Sequence, residues 1–224
     1  MKNNWMKSLL MLTLATLVLG GCVSEPSDSV DQDRIYTIYE VFYDKNVNKT
    51  YAKATFKLGN ALGTLLQLSG PSEVRFNNDV LSFQAAGSFY EKVYDGFLAG
   101  GTFTFKNTKG TSYTNSVADI KPIEFPAGEL NISKASTYDL AWTGDKLTGK
   151  ENVGVLIGAQ VFLQINPNTA SIPLSSGQLQ QINPGAYVAG MERYFTNDLT
   201  QPTGAGGSIT GKYRATGKSV QIVN

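Results

Sequence analysis

The sequence predicts an all-β protein, arranged as two tandem β-sandwiches behind a removable N-terminal leader and a short linker. Three observations carry that prediction. Short runs rich in Ile, Val, Tyr, Phe and Thr recur at about 8–12-residue spacing, separated by Asn, Asp and Gly clusters, as the strands of a sandwich or barrel do. No stretch keeps apolar residues at helical spacing for more than a turn, Ser176–Ile182 being the nearest. The chain also echoes itself. Gly100–Lys106 aligns with Gly206–Lys212, and Thr50-Tyr51 followed by Ala54 aligns with Thr137-Tyr138 followed by Ala141, in the order a duplicated module requires.

The leader comes first. Lys2 and Lys7 precede an uncharged, Leu-rich run from Ser8 to Leu19, which stops at Gly20-Gly21. A basic start, an apolar centre of about 7–15 residues and small residues at the end describe a secretory signal. A membrane-spanning helix needs roughly 20 apolar residues, and the two glycines are poor material for its last turn. Leu19-Gly20-Gly21-Cys22 then resembles the lipobox of bacterial lipoproteins, and Cys22 is the only cysteine in the chain. The resemblance implies cleavage between Gly21 and Cys22, removal of residues 1–21, and a diacylglycerol on the Cys22 thiol. Two acyl chains, each CH₂ contributing about 0.8 kcal/mol, hold a protein stably at a bilayer. The membrane is therefore the first partner expected.

Residues 22–33 are polar and acidic with no hydrophobic period, which predicts a flexible tether. Acidic residues just after the lipidated Cys also resemble the surface-export signals of Bacteroidota lipoproteins, and Asp28-Ser29-Val30 resembles the O-glycosylation acceptor of that group. These point to the cell envelope and its outer membrane, and leave open whether the protein faces the periplasm or the surface.

The first sandwich is placed at residues 34–121. Arg34–Tyr43 is dense in strand formers, Asp44–Asn48 supplies a turn, and Tyr51–Leu58 alternates cleanly with Ala52, Ala54, Phe56 and Leu58 on one face. Leu65–Leu68, Glu73–Phe76, Val80–Gln84, Phe89–Tyr94, Thr102–Lys106 and Ser116–Lys121 follow as short strands. The second is placed at 122–224, with strands at Ile123–Ile132, Tyr138–Thr143, Val153–Ile165, Ala186–Tyr194, Ser208–Arg214 and Ser219–Val223. Tyr138-Asp139-Leu140-Ala141-Trp142-Thr143 resembles the Trp-bearing second strand of fibronectin type III domains. Ile182-Asn183-Pro184-Gly185-Ala186-Tyr187 resembles the corner before their sixth strand, with Tyr187 one residue early. The whole is similar to tandem Ig-like domains of Bacteroidota envelope lipoproteins. That implies a fold and an address; fold alone does not give function.

Composition narrows the chemistry. Loss of Lys2 and Lys7 from 19 basic residues leaves 17 against 18 acidic, a net charge of −1, so nucleic acid is not an expected partner. With no histidine in the chain, Ser-His-Asp and Cys-His catalysis and imidazole zinc sites have no residues to use. No motif assigns a catalytic residue, a metal site or a cofactor. Asn77-Asn78-Asp79 and Asn197-Asp198 cluster oxygens suited to calcium and read equally as turns. Gly204–Gly207 precedes a strand-like run, where a phosphate loop needs a helix. Paired carboxylates are the remaining catalytic route, with Glu91 and Asp95, and Glu192 and Asp198, as examples. Tyr36, Tyr39, Tyr43, Tyr51, Tyr90, Tyr94 and Tyr113 offer an aromatic ligand platform in the first module. The function expected is a lipid-anchored binding or structural module for a protein partner or glycan. The alternative is a carboxylate-dependent glycan hydrolase, and a third reading is a strand-donating component with Ser219–Val223 as the donated strand.

Overall fold

Ten strands build the first half: β1 (Glu25–Pro26), β2 (Ile35–Asp44), β3 (Lys49–Leu58), β4 (Leu65–Gln67), β5 (Glu73–Phe76), β6 (Asp79–Val80), β7 (Ser82–Gln84), β8 (Phe89–Asp95), β9 (Gly101–Lys106) and β10 (Ser112–Val117). The computed structural model describes residues 24–224; the leader, Gly21 and Cys22 lie outside the described residues. Period-two patterning sets the first hairpin. Ile35, Thr37, Tyr39, Val41 and Tyr43 of β2 point inward, with Thr50, Ala52, Ala54 and Phe56 of β3 beside them. The strands pair from Ile35↔Leu58 to Asp44↔Lys49. β4 and β8 share the far edge of β3, and β7 extends β8.

A second sheet, in the order β10-β9-β5-β6, closes the sandwich. Rings fill the gap: Tyr39 stacks on Phe103 with centroids 4.4 Å apart, Phe56 meets Phe105 at 4.8 Å, and Phe76 meets Phe103 at 4.7 Å. Each fully buried ring contributes about 1.5–3 kcal/mol by leaving water. The β5–β6 turn is made by Asn77 (φ +48°) and Asn78 (φ +71°), the left-handed pair that a two-residue hairpin demands. Val80–Gln84, expected as one strand, is two short ones, because Leu81 turns into the core between them.

The expected tether is corrected over residues 24–33. β1 pairs in parallel with β4 (Glu25↔Leu66, Pro26↔Gln67), and Ser27 and Gln32 are buried. Gln32 Nε2 donates to the carbonyls of Ser27 (2.7 Å) and Val30 (3.0 Å), while its Oε1 accepts from the Thr108 amide (3.2 Å). Polar composition suggested a free linker; here those polar groups satisfy one another against the sandwich.

The second half contains β11 (Leu130–Ser133), β12 (Tyr138–Ala141), β13 (Glu151–Ile157), β14 (Gln160–Gln164), β15 (Ser171–Leu174), the one-turn helix α1 (Ser176–Leu179), β16 (Gly185–Thr203), β17 (Gly206–Arg214) and β18 (Lys218–Val223). β14-β13-β16-β17 form one layer; β12 pairs β15, and β18 lies between β11 and the start of β16. Three expected strands are redrawn. Val153–Ile165 is the β13–β14 hairpin turned at Gly158 (φ +59°) and Ala159. Ile123–Ile132 is extended in regular pairing only at its end, after a single bridge from Glu124 to Thr143. Ser116–Lys121 overlaps only the last two residues of β10, which lies at Ser112–Val117. The expected strand Tyr138–Thr143 ends at Ala141, and Trp142, just beyond it, is buried with Nε1 donating to the Asp145 carbonyl (3.2 Å). The Tyr187 hydroxyl donates to the Asn183 carbonyl four residues upstream (3.0 Å), the tie-back of a tyrosine corner.

β16 and its return through β17 and β18 form a long hairpin, and it couples the halves. Its base, Gly185–Ala189 with Lys218–Ile222, belongs to the second sandwich. Its upper arm pairs β17 with β2 in parallel, from Gly207↔Thr37 to Arg214↔Asp44. The arm thus re-crosses the boundary expected after residue 121 and continues the sheet of the first half. Glycine makes the approach possible: a Cβ on Gly207 would sit 2.3 Å from the Thr37 carbonyl oxygen, and one on Gly211 would sit 2.6 Å from the Phe195 ring. Polar bonds then pin it, with Asn115 and Gln201 exchanging two (2.9 and 2.8 Å) and the Thr203 hydroxyl donating to the Ile35 carbonyl (2.6 Å).

Candidate functional site

Because β17 joins β2, seven strands present one outer face in the order β14-β13-β16-β17-β2-β3-β8. Register fixes which side chains share a row across it. One row reads Asn152, Tyr194, Lys212, Phe42, Tyr51, Val93. Phe42 and Tyr51 stack with centroids 5.9 Å apart, Lys212 Nζ stands 5.2 Å and the Arg214 guanidinium 4.8 Å from the Phe42 ring centre, and Lys53 Nζ stands 5.5 Å from that of Tyr51. The neighbouring row reads Gly154, Glu192, Arg214, Asp44, Lys49, Asp95. Its charges alternate and are bonded: Arg214 to Glu192 (2.6 Å) and Asp44 (2.9 Å), and Lys49 to Asp95 (2.9 Å). The Lys49 ammonium, bonded to it, holds the Asp95 carboxyl below its ordinary range.

A groove of about 880 Å³ crosses the second-half end of this face. Gly154 and Gly190 form part of its floor, and a Cβ on Gly190 would meet open space. Leu156, Val161, Leu163 and Val188 stand on one side; Glu192, Tyr194, Lys212 and Arg214 stand on the other. A second hollow of about 590 Å³ lies where the arm meets β10, lined by Asn115, Ser116, Thr196 and Asp198 among others.

The expected tyrosine platform is only partly on this surface. Tyr36 and Tyr51 lie on the outer face, whereas Tyr39, Tyr43 and Tyr90 are core residues and Tyr94 and Tyr113 pack against the core. Tyr94 donates to the Phe76 carbonyl (3.1 Å) and to Asp79 (3.0 Å); burial first, and then that carboxylate, push its phenol above the ordinary range. The missed members are Phe42 and Tyr194. Phe42 could have been found from the even-numbered face of β2, but Tyr194 reaches the row only through pairings across the whole chain.

Glu91, Asp95 and Glu192 are engaged in ion pairs. Glu91 lies 3.6 Å from Lys53, and Asp95 is bonded to Lys49. Glu192 and Asp198 are six residues apart in β16, about 20 Å along a strand, beyond the roughly 5–10 Å of glycosidase pairs. The structure brings together a pair the sequence did not show: Lys212 Nζ lies 3.4 Å from Glu40 and 3.9 Å from Glu192. Both carboxylates belong to ion pairs on an open sheet. Of the calcium candidates, Asn77 Oδ1 accepts from the Thr102 amide (2.9 Å) and Asp79 from Tyr94, while Asn197-Asp198 is strand, not turn. Among the described residues no three metal-ligating acidic, Cys or His side chains cluster. Gly204-Ala205 turns the β16–β17 hairpin. The strand-donor reading is corrected for Ser219–Val223, since β18 is paired on both edges. No helix among the described residues is long and apolar enough to cross a membrane.

No family model and no curated protein matches the sequence. Among solved structures, the chain is similar to fibronectin(III)-like modules of CbhA from Clostridium thermocellum, at 10% identity, covering 82% of this chain and 87% of that one, with a TM-score of 0.28. It is also similar to a structure concerned with host cell surface retention of a 1.5-MDa bacterial ice-binding adhesin, at 10% identity and a TM-score of 0.23. That match covers 82% of this chain, which spans 64% of the adhesin chain.

Proposed function

We propose that the chain is a lipid-anchored cell-envelope binding module, and that its ligand surface is the outer face shared by the two halves. The observation that carries this reading is the row Tyr194, Lys212, Phe42, Tyr51, assembled from both halves and left outside either core. Planar aromatic groups set among ordered donors and acceptors are what protein partners and glycans engage, since rings bury area at little entropic cost and charges fix orientation. The bonded carboxylates of the face support binding over glycan hydrolysis, which needs an acid and a nucleophile or base free to react.

The anchor rests on Leu19-Gly20-Gly21-Cys22. With β1 starting at Glu25, a lipid at Cys22 holds the first sandwich close to the bilayer. Outer-membrane placement is supported by the acidic residues after Cys22. Two experiments test the proposal. Fatty-acid labelling of cells should mark the wild-type chain and not Cys22→Ser. Crosslinking on intact cells, run beside a glycan array, should yield a partner or glycan that Phe42→Ala/Tyr51→Ala fails to retain. A blank in both, or retention by the variant, would sink the reading.

A further inference from the structure

The outer face ends at an edge guarded only by one side-chain contact from α1. β14 is the last strand of the long sheet and pairs with β13 alone. Exposed edges are normally blunted by a charge, a proline or a bulge, and Gln160–Ile165 has no charge and no proline. The chain is in fact uncharged for forty residues, from Asn152 to Met191. Beside this edge stand five exposed aliphatic side chains: Leu156, Val161, Leu163, Ile165 and Val188, between 48% and 72% accessible. Such a cluster marks an interaction surface.

We propose that β14 pairs antiparallel with β14 of a second copy of this chain, joining two outer faces into one sheet. Self-pairing is favoured by the strand's own symmetry. Gln160-Val161-Phe162-Leu163-Gln164 reads nearly the same in both directions about Phe162. A two-fold axis there sets Val161 opposite the copy's Leu163 and Gln160 opposite its Gln164, so like polarity meets like on both faces. The backbone parity agrees. Gln178 Nε2 donates to the Val161 carbonyl (3.0 Å), which shows that carbonyl turned away from β13. Val161 and Leu163 share this parity, so both present their backbone groups to the edge. Pairing would displace the single Gln178 contact. The absence of charge removes the like-charge repulsion that a two-fold axis otherwise imposes on a charged strand.

The test uses the full chain in mild detergent, carrying Cys22→Ser so that introduced thiols are the only ones. Sedimentation should show a concentration-dependent dimer, and Leu163→Lys, at an exposed position, should weaken it at least tenfold. Directly opposed residues lie about 5.5 Å apart between Cα atoms, within disulfide range. Oxidation of a mixture of Val161→Cys and Leu163→Cys chains should therefore give more covalent dimer than either variant alone, and Val93→Cys on β8 should give none. A chain that stays monomeric, a dimer indifferent to Leu163→Lys, equal crosslinking by the single variants, or a monomer that instead captures a foreign strand at β14 would each overturn the proposal.

Discussion

Removing the Glu151 carboxylate should be among the most damaging single changes. Arg193, on β16 beside Glu192 and Tyr194, is only 2% exposed, and four of the five N–H groups of its guanidinium are engaged. Nε donates to Glu151 Oε1 (2.9 Å), Nη2 to Glu151 Oε2 (2.7 Å) and to the Lys146 carbonyl (3.1 Å), and Nη1 to the Asp145 carbonyl (2.8 Å). Glu151 Oε2 also accepts from the Thr148 amide (2.8 Å). Glu151→Ala therefore leaves a buried cation with two unpaired donors and an orphaned amide, at a cost of about 3–5 kcal/mol. Replacing both partners by methionine should cost far less, because no charge is left behind. Urea unfolding with an unchanged slope would report the loss as a lower midpoint. The pair also carries a pH signature. Burial alone would raise the Glu151 pKa, but the bonds from Arg193 and Thr148 outweigh it and hold the carboxyl below its ordinary range. The linked stability is thus complete above the unfolded-state pKa and is lost as pH falls through the folded-state value. A loss under about 1 kcal/mol, or no acid sensitivity attributable to Glu151, would refute the claim that this pair holds the 145–150 segment to β16.

Other perturbations probe different joints. Tyr39 is buried on Phe103 with no hydrogen-bond partner for its hydroxyl among the described residues, so Tyr39→Phe should stabilise by about 1 kcal/mol in thermal or urea melts. Gly211→Val drives a side chain into Phe195 and Ile120 and should cost about 1–3 kcal/mol, with faster hydrogen exchange along β17 as its local mark. Gln32→Ala strands the Thr108 amide and frees residues 24–33, costing about 1–3 kcal/mol and exposing that segment to limited proteolysis.

What the sequence showed, it showed locally. The β3 alternation was legible because one face is wet and the other apolar, while β2 carries aromatic or β-branched residues on both faces, so that only Glu40 and Asp44 marked its even-numbered face as the outer one and Tyr39 and Tyr43 as inward. The β13–β14 turn was hidden because Gly158-Ala159 sits inside an apolar run without Asn or Asp. β15 was missed because Pro173 lies within it, a residue tolerated in that two-stranded sheet. The surface row could not be read at all: it depends on β2 meeting β17 about 170 residues later, a parallel pairing with no local signal.

The most direct measurement is a titration of the partner or glycan recovered from cells against four chains: wild type, Phe42→Ala, Tyr194→Ala and the double variant. If the shared face is the binding surface, each single change should weaken binding about tenfold or more, the loss of one well-packed aromatic anchor, though the residues come from opposite halves. Binding that ignores both changes, or responds to one half alone, would contradict it.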